Sequence, residues 1–123
     1  MRNALDTFGE EFIHSVYDGT AKKYGDMIFQ RRTRGMTAQF VNEQLNGFSE
    51  EQRKAVYLIM QKAIEDAACN MLGLFEQNED IQLTINTDGT WINLNDASDG
   101  LGGELFGDAG WISKFSKTLS TNE

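Results

Sequence analysis

The segment SEEQRKAVYLIMQKAIEDAACNMLGLF, residues 49–75, predicts a long helix against which the other elements pack. It opens with a capping box, in which the Ser49 hydroxyl accepts a hydrogen bond from the backbone N–H of Gln52 and the Gln52 side chain reaches back. At 1.5 Å per residue this helix extends roughly 39 Å. Residues three and four apart form its main apolar stripe, which we expect to face the core: Val56, Ile59, Met60, Ala63, Ala67, Met71 and Leu74. Four more residues widen the stripe toward the C-terminal end: Ile64, Ala68, Leu72 and Phe75.

Shorter amphipathic segments precede the long helix. Apolar residues at helical spacing predict a first helix over residues 5–16, which Asp18-Gly19 interrupts or ends. A second helix is predicted over residues 20–29, with Thr20 as its cap. A third begins at Thr37 and stops at Asn46-Gly47.

A β-hairpin is predicted after the long helix. The stretches IQLTIN, residues 81–86, and TWINL, residues 90–94, alternate apolar and polar side chains around the strong turn pair Asp88-Gly89. This alternation leaves Trp91 on the polar side of its strand. Helical spacing then predicts a short C-terminal helix, capped by Asp108 and carrying Trp111, Ile112, Phe115 and Leu119. The expected fold is one α+β domain, residues 1–123, with three or four helices, then the hairpin and this last helix.

The composition is that of an ordinary globular domain, with 40% hydrophobic and 24% charged residues. The single Cys69 cannot close an intramolecular disulfide, and the chain has no cysteine pattern for zinc. The N-terminal sequence MRNALDTFGEEFIH carries acids where a signal peptide needs an apolar core. The longest apolar run, AVYLIM at residues 55–60, is too short to span a membrane. We therefore expect a cytoplasmic protein, of bacterial type, without a membrane partner.

The charge distribution is more informative than the net charge of −8. Residues 63–113 contain no Lys or Arg, but they contain ten acids: Glu65, Asp66, Glu76, Glu79, Asp80, Asp88, Asp96, Asp99, Glu104 and Asp108. A surface of one sign repels nucleic acid and anionic membranes, and it steers a cationic partner inward. The alternative is that these acids only keep a small protein soluble.

The glycine-rich segment NDASDGLGGELFGDAGW, residues 95–111, matches neither a phosphate loop nor an EF-hand. Its glycines lack the dinucleotide-binding spacing, and no lysine follows them as a P-loop requires. Aligned as an EF-hand, the segment lacks the final glutamate ligand. Asp96, Asp99 and Glu104 still leave open an irregular Ca²⁺ or Mg²⁺ site, and with it a small metal-dependent hydrolase. Turn and cap roles explain the same acids.

Other residues give little reason to expect catalysis or nucleic-acid binding. A dyad of His14, the only histidine, with Cys69 would require the fold to bring the two together. The arginines of RRTR, residues 31–34, suit phosphate contacts, but the acidic balance of the chain opposes nucleic-acid binding. We expect no enzyme, no cofactor and no bound metal.

The remaining features favour a protein-binding surface. Aromatic residues beside acidic groups are typical of an interface with a basic partner. We predict these partner-binding residues: Asp88, Trp91, Asp96, Asp99, Glu104, Asp108 and Trp111. The alternative for Trp91 is that it covers the hairpin against the C-terminal helix.

The predicted function is a non-enzymatic acidic protein that binds a basic protein, as an immunity protein or an inhibitor does. The alternatives are the metal-dependent hydrolase and a nucleic-acid mimic from a mobile element. A homo-oligomer also stays open.

Two stretches carry a resemblance to a known group of proteins: LFEQNEDIQL, residues 74–83, and DGLGGELFGDAGWISKFSK, residues 99–117. They resemble small uncharacterised bacterial cytosolic proteins that end in an acidic, glycine-rich segment followed by a Trp-containing amphipathic stretch. No activity is assigned to that group, so the resemblance implies no functional residue. In size and acidity the chain also resembles toxin-immunity proteins, which are non-catalytic.

Overall fold

Helical structure dominates the computed structural model, which describes residues 3–31 and 34–118. Helix α1 (Ala4–Phe12), a π-helical segment (Ile13–Asp18) and helix α2 (Gly19–Phe29) follow one another without a break. The Asn3 side chain caps α1 by accepting from the Asp6 backbone N–H at 2.7 Å. Two separate helices come next, α3 (Met36–Gln44) and α4 (Glu50–Gln77). The α+β class is therefore confirmed, but five helical segments precede the hairpin in the described residues instead of three or four.

The chain does not leave helical geometry at Asp18-Gly19. Gly19 has φ −58° and ψ −45°, and Thr20 lies inside α2 instead of capping it. The predicted interruption is thus a change from π-helical to α-helical hydrogen bonding. A π-helical segment is a local widening that often lies at functional or structurally constrained positions. Here it contributes the fully buried side chains of Ile13 and Tyr17 to the core.

The capping box predicted at the start of α4 is confirmed. Gln52 N donates to Ser49 Oγ at 3.1 Å, and Ser49 N donates to Gln52 Oε1 at 2.8 Å. The helix ends two residues after the predicted Phe75 and is 28 residues long. It therefore runs alongside both halves of the fold.

The β-hairpin is also confirmed, with strands β1 (Thr84–Thr87) and β2 (Thr90–Asn93) in antiparallel pairing. Thr87 pairs with Thr90 across the turn, where Asp88 and Gly89 have φ values of 52° and 86°. Positive φ at both central residues is the geometry of a type I′ turn, which matches the twist of the flanking strands.

Short elements follow the hairpin: helix α5 (Leu94–Ala97), a 3₁₀ turn (Gly102–Leu105) and helix α6 (Trp111–Phe115). The C-terminal helix is confirmed, but Gly110, not Asp108, is its N-cap residue. The predicted Leu119 lies outside the described residues. Trp111 is only 1% exposed and lies in the core. Its predicted role in contacting a partner is therefore wrong, because Trp111 packs against Phe8 of α1 with ring centroids 5.6 Å apart.

The core has two clusters. The larger one joins α1, the π-helical segment, the C-terminal half of α4 and the elements after the hairpin, with Ile13, Leu72, Leu101 and Leu105 fully buried. The smaller one joins Ile28 of α2, Leu45 after α3 and Tyr57 of α4.

The face of α4 that enters the core differs from the predicted main stripe. Ala68 and Leu72 are buried and Ile64 and Phe75 partly buried, so the residues expected only to widen the stripe provide the contacts to the larger cluster. Five residues of the main stripe are exposed: Ile59, Ala63, Ala67, Met71 and Leu74. Gln61 and Glu65 are buried instead. The elements packed against the helix decide its orientation, and α2, the π-helical segment and the 3₁₀ turn all contact the other side.

Tyr17 gives the fold a testable response to alkaline pH. Its side chain is fully buried, and burial together with the charges of Glu65 and Asp18 raises its pKa from 10.0 to about 12. The folded protein therefore keeps a proton that the unfolded chain releases between pH 10 and 12. This contribution to stability is complete below pH 10 and is lost as the pH rises toward 12. Two pKa units correspond to about 2.7 kcal/mol.

We expect Tyr17→Phe to flatten this alkaline loss of stability, measured by urea unfolding at a series of pH values from 8 to 11. Among the described residues no group hydrogen-bonds the Tyr17 hydroxyl, so its removal leaves stability at pH 7 nearly unchanged. Equal pH slopes in the two proteins would contradict the assignment to Tyr17.

No helix within the described residues is long and apolar enough to cross a membrane.

Candidate functional site

The hairpin presents two of the predicted partner-binding residues to solvent. Asp88 lies in the turn, and Trp91 on β2 is 69% exposed. Trp91 pairs across the strands with Asn86, which is also exposed. The alternative in which Trp91 covers the hairpin against the C-terminal helix is therefore wrong.

The acids of the glycine-rich segment are spread over separate elements. Asp96 lies on α5, Asp99 follows it, and Asp108 precedes α6, all of them exposed. Glu104 lies in the 3₁₀ turn and accepts a hydrogen bond from the Ser98 hydroxyl at 2.7 Å. No group of three or more Asp, Glu, His or Cys residues within residues 3–31 and 34–118 is arranged to hold a metal ion. The geometry thus gives the predicted Asp96, Asp99 and Glu104 cation site no support.

Most of the acids in residues 63–113 keep their charge uncompensated by neighbouring cations. Glu65 is buried and pairs with Lys62 at 3.4 Å. None of the other nine acids makes an ion pair with a cation of the described part of the chain. Of the RRTR arginines, Arg31 pairs with Glu50 at 2.6 Å, and Arg32 lies outside the described residues.

A groove of about 660 Å³ lies between the C-terminal half of α4 and the glycine-rich segment. We call it the α4–loop groove. Its walls consist of Cys69, Asn70, Gly73, Leu74, Glu76, Gln77 and Asn78 on the helix side and Gly100, Gly102, Gly103 and Phe106 on the loop side. Leu74 and Phe106 are 46% and 43% exposed, so each wall offers a large apolar side chain to a ligand.

Hydrogen bonds between the two walls keep the groove in shape. The Gly102 backbone N–H donates to the Glu76 carboxylate, and Asn95 Nδ2 donates to the Phe75 carbonyl at 2.6 Å. A Cβ atom on Gly102 would lie 3.2 Å from Cys69 Sγ, so glycine allows this close approach of the loop to the helix. The loop is thus held against α4 by its backbone, which leaves Phe106 free to contact a partner.

The electrostatics of the groove follow from the segments that form it. Glu76 is the one charged residue among its lining side chains. Acids adjoin the lining residues on both sides, with Glu79 and Asp80 after α4 and Asp99 and Glu104 beside the lining glycines. Since residues 63–113 contain no Lys or Arg, every formal charge contributed by these walls is negative. Two exposed apolar side chains among acidic neighbours suit a segment that is both basic and apolar.

A second cavity of about 600 Å³ lies beside the π-helical segment and α2, lined by His14, Asp18, Lys22, Asp26, Phe29 and Tyr57 among others. Its polar groups maintain the fold. Asp18 accepts from the Ser116 hydroxyl and the Lys117 backbone N–H, both at 2.7 Å, and Lys22 pairs with Asp26 at 3.0 Å. Asp18 therefore ties the chain after α6 to the helical segment.

His14 and Cys69 line different cavities, so the structure does not bring them together as a dyad. Burial, with a further contribution from Asp18, raises the pKa of Tyr57 at the edge of the His14 cavity. That shift keeps the phenol protonated near pH 7.

Sequence reasoning missed Phe106 as a site residue and placed Leu74 in the core. Phe106 belongs to a segment without helical or strand periodicity. Its neighbours in the sequence therefore do not predict whether its side chain is buried or exposed. Leu74 follows the helical pattern, but that pattern does not reveal which side of α4 the loop covers.

No protein-family model matches the chain, and the characterised proteins and solved structures with which we compared it give no match either.

Proposed function

We propose that this protein is a non-enzymatic binding protein of the immunity-protein or inhibitor type, whose partner inserts a basic, partly apolar segment into the α4–loop groove. The observation that carries the proposal is the pairing of exposed Leu74 and Phe106 across a groove whose formal charges are all negative. A few anchor residues that fill pockets supply most of the affinity at protein interfaces. Charges of one sign around them raise the association rate and select the partner.

Some of the predicted partner-binding residues adjoin the groove, and others lie away from it. Asp99 and Glu104 keep the predicted role because they adjoin its loop wall. Leu74 and Phe106 replace Trp111 as the apolar anchors. Asp88 and Trp91 lie on the hairpin and do not line the groove. The hairpin site and the groove therefore make different predictions for mutagenesis.

We expect Phe106→Ser to weaken binding of a basic amphipathic peptide of alternating Lys and Leu character by at least about tenfold, the effect typical of losing an aromatic anchor. Binding is measured by fluorescence anisotropy of the labelled peptide. Trp91→Ser is the matched control, because it removes an exposed aromatic residue that does not line the groove. We expect this control to bind the peptide as the wild type does.

The dependence of binding on salt tests the electrostatic part of the proposal separately from the apolar anchors. Affinity should fall as ionic strength increases from about 50 to 500 mM, because surface charges are screened over a Debye length of about 10 Å at 0.1 M. Affinity that is indifferent to salt would contradict the electrostatic part. Loss of binding in Trp91→Ser but not in Phe106→Ser would move the site to the hairpin and overturn the groove assignment. A protein captured from a bacterial lysate is then tested against the same two variants.

A further inference from the structure

The segment that follows α6, residues 116–118, forms part of the wall of the cavity that His14 lines. We call this segment the strap and this cavity the His14 cavity. Lys117 and Thr118 of the strap line the cavity together with Asp18 and Ala21, and its volume is about 600 Å³. Cavities of this size hold small molecules in other proteins. The position of the strap therefore decides how open the cavity is.

The strap is attached to the helical segment through one carboxylate. Asp18 accepts hydrogen bonds from the Ser116 hydroxyl and the Lys117 backbone N–H, both at 2.7 Å. It also accepts from the Thr118 hydroxyl at 3.2 Å. The Thr118 backbone N–H donates to Ser116 Oγ at 3.2 Å, so the strap residues are also joined to one another. Three hydrogen bonds of the strap thus depend on a single side chain.

Apolar burial holds α6 in place, but it does not hold the strap. Trp111 and Ile112 of α6 are 1% and 5% exposed and belong to the larger core cluster. The three strap residues are polar, and none of them belongs to either core cluster of the described part of the chain. The strap can therefore leave Asp18 without exposing the core. Segments with few buried apolar contacts open locally at low free energy.

Release of the strap changes the chemistry of the cavity wall. Asp18 loses its three donors from the strap, and Lys117 leaves the cavity. Asp26, the other carboxylate in the lining, keeps its ion pair with Lys22 at 3.0 Å. The open cavity therefore offers the Asp18 carboxylate as an acceptor beside the buried Ala21. In the closed form the strap occupies that acceptor.

We infer that the strap is a lid on the His14 cavity, which closes by binding the Asp18 carboxylate and opens while the rest of the fold stays intact. Asp18 is the last residue of the π-helical segment, and such segments are frequent at functional sites. The lid is independent of the α4–loop groove, since neither Asp18 nor the strap lines that groove.

Native-state hydrogen exchange of the full chain tests the local opening, followed by NMR at urea concentrations below the unfolding transition. The Lys117 amide should exchange through an opening that exposes little surface, so its protection should not change with urea. The amide of the fully buried Leu72 should lose protection as urea increases. A Lys117 amide that depends on urea as the Leu72 amide does would overturn the lid, since the strap would then open only with the fold.

Asp18→Ala tests the attachment point. It removes the acceptor of three hydrogen bonds, so the Lys117 amide should exchange at least about tenfold faster. Asp6→Ala is the matched control, because Asp6 pairs with Lys114 of α6 at 2.8 Å and α6 is also held by the core. This control should exchange at Lys117 as the wild type does. Circular dichroism verifies that both variants are folded, and an unchanged Lys117 rate in Asp18→Ala would overturn the assignment.

Labelling of a thiol in the cavity tests whether the strap controls access. In a Cys69→Ser background, Ala21→Cys places a thiol at a fully buried position of the lining. Adding Asp18→Ala should speed its reaction with a thiol-reactive disulfide reagent by at least about tenfold, because the lid is open more often. Adding Asp6→Ala should not. Equal labelling with and without Asp18→Ala would show that the strap does not gate the cavity, and it would overturn the inference.

Discussion

Replacing Arg53 by methionine is expected to lower the free energy of unfolding by about 1–3 kcal/mol. The Arg53 side chain is 4% exposed and donates hydrogen bonds to the backbone carbonyl of Ile28 and, at 3.1 Å, to that of Leu45. Ile28 lies in the last turn of α2, and Leu45 follows the last residue of α3. One guanidinium therefore caps the C-terminal ends of two helices, where carbonyls lack partners within the helix and where positive charge is favourable.

The expected loss follows from the groups that the substitution leaves behind. Methionine fills much of the same volume but donates no hydrogen bond. The buried Ile28 carbonyl then loses its donor, at roughly 1–3 kcal/mol, while the Leu45 carbonyl keeps its hydrogen bond from the Phe48 backbone N–H at 3.0 Å. Relief from burying the charge opposes this loss, which places the total at the stated range. Arg53→Lys should cause a smaller loss, because the ammonium keeps the charge but does not reproduce the planar fork.

Urea unfolding followed by circular dichroism measures the effect of each substitution at Arg53. Lys54→Met is the control, because it removes the charge of the exposed neighbouring residue and should change stability by less than about 0.5 kcal/mol. An Arg53→Met variant as stable as the wild type would show that α2 and α3 do not depend on this cap.

The contact between Gly9 and Trp111 should give the second large effect. Gly9 lies inside α1, and a Cβ atom added there would come within 2.5–2.6 Å of three atoms of the Trp111 indole. Trp111 is 1% exposed, so the core encloses its indole. We therefore expect Gly9→Ala to destabilise the protein by about 1–3 kcal/mol through overpacking.

The sign of this effect distinguishes packing from helix propensity. Glycine to alanine inside a helix ordinarily stabilises by roughly 0.5–1 kcal/mol. Gly19→Ala provides that reference, because its added Cβ would lie 3.5 Å from the His14 carbonyl oxygen, an ordinary contact distance. Gly9→Ala should destabilise while Gly19→Ala stabilises, and both are measured by urea unfolding.

Truncation of the indole tests the same contact from its other side. Trp111→Ala should cost about 3–5 kcal/mol, as for other large aromatic residues in cores. In a Trp111→Phe background the smaller ring leaves room, so the loss from Gly9→Ala should shrink. A Gly9→Ala variant that is stabilised to the same extent as Gly19→Ala would refute the close packing of α1 against α6.

The elements that were predicted correctly depend on residues that are neighbours in the chain. The capping box needs only Ser49 and Gln52, and the hairpin turn needs only Asp88 and Gly89. Their hydrogen bonds and backbone angles are determined by local chemistry, which the residue types express directly. The same argument explains why the C-terminal helix was predicted although its cap was not, since several nearby residues can occupy the cap position.

The orientation of α4 was not determined locally. Its sequence offers two apolar rows, one through Ile59, Ala63 and Ala67 and the other through Ala68 and Leu72. Both have helical spacing, so periodicity predicts the helix without deciding which row enters the core. The row that α2 and the 3₁₀ turn cover became the core, and the other row is exposed.

Trp111 is a second residue whose burial the local sequence does not decide. Tryptophan is common both in partner interfaces and in cores. Trp111 lies in the core because it packs against Gly9, which is distant in the chain. The α4–loop groove likewise joins Leu74 to Phe106 across separate elements.

The sequence by itself determined the helix start at Ser49, the turn at Asp88-Gly89 and the absence of cations from residues 63–113. These are properties of residue identity over a few neighbouring positions. The tertiary structure alone decided which apolar residues are buried, since a side chain loses its contact with water only when a distant element covers it. That choice placed Trp111 inside and left Ile59, Leu74 and Phe106 at the surface.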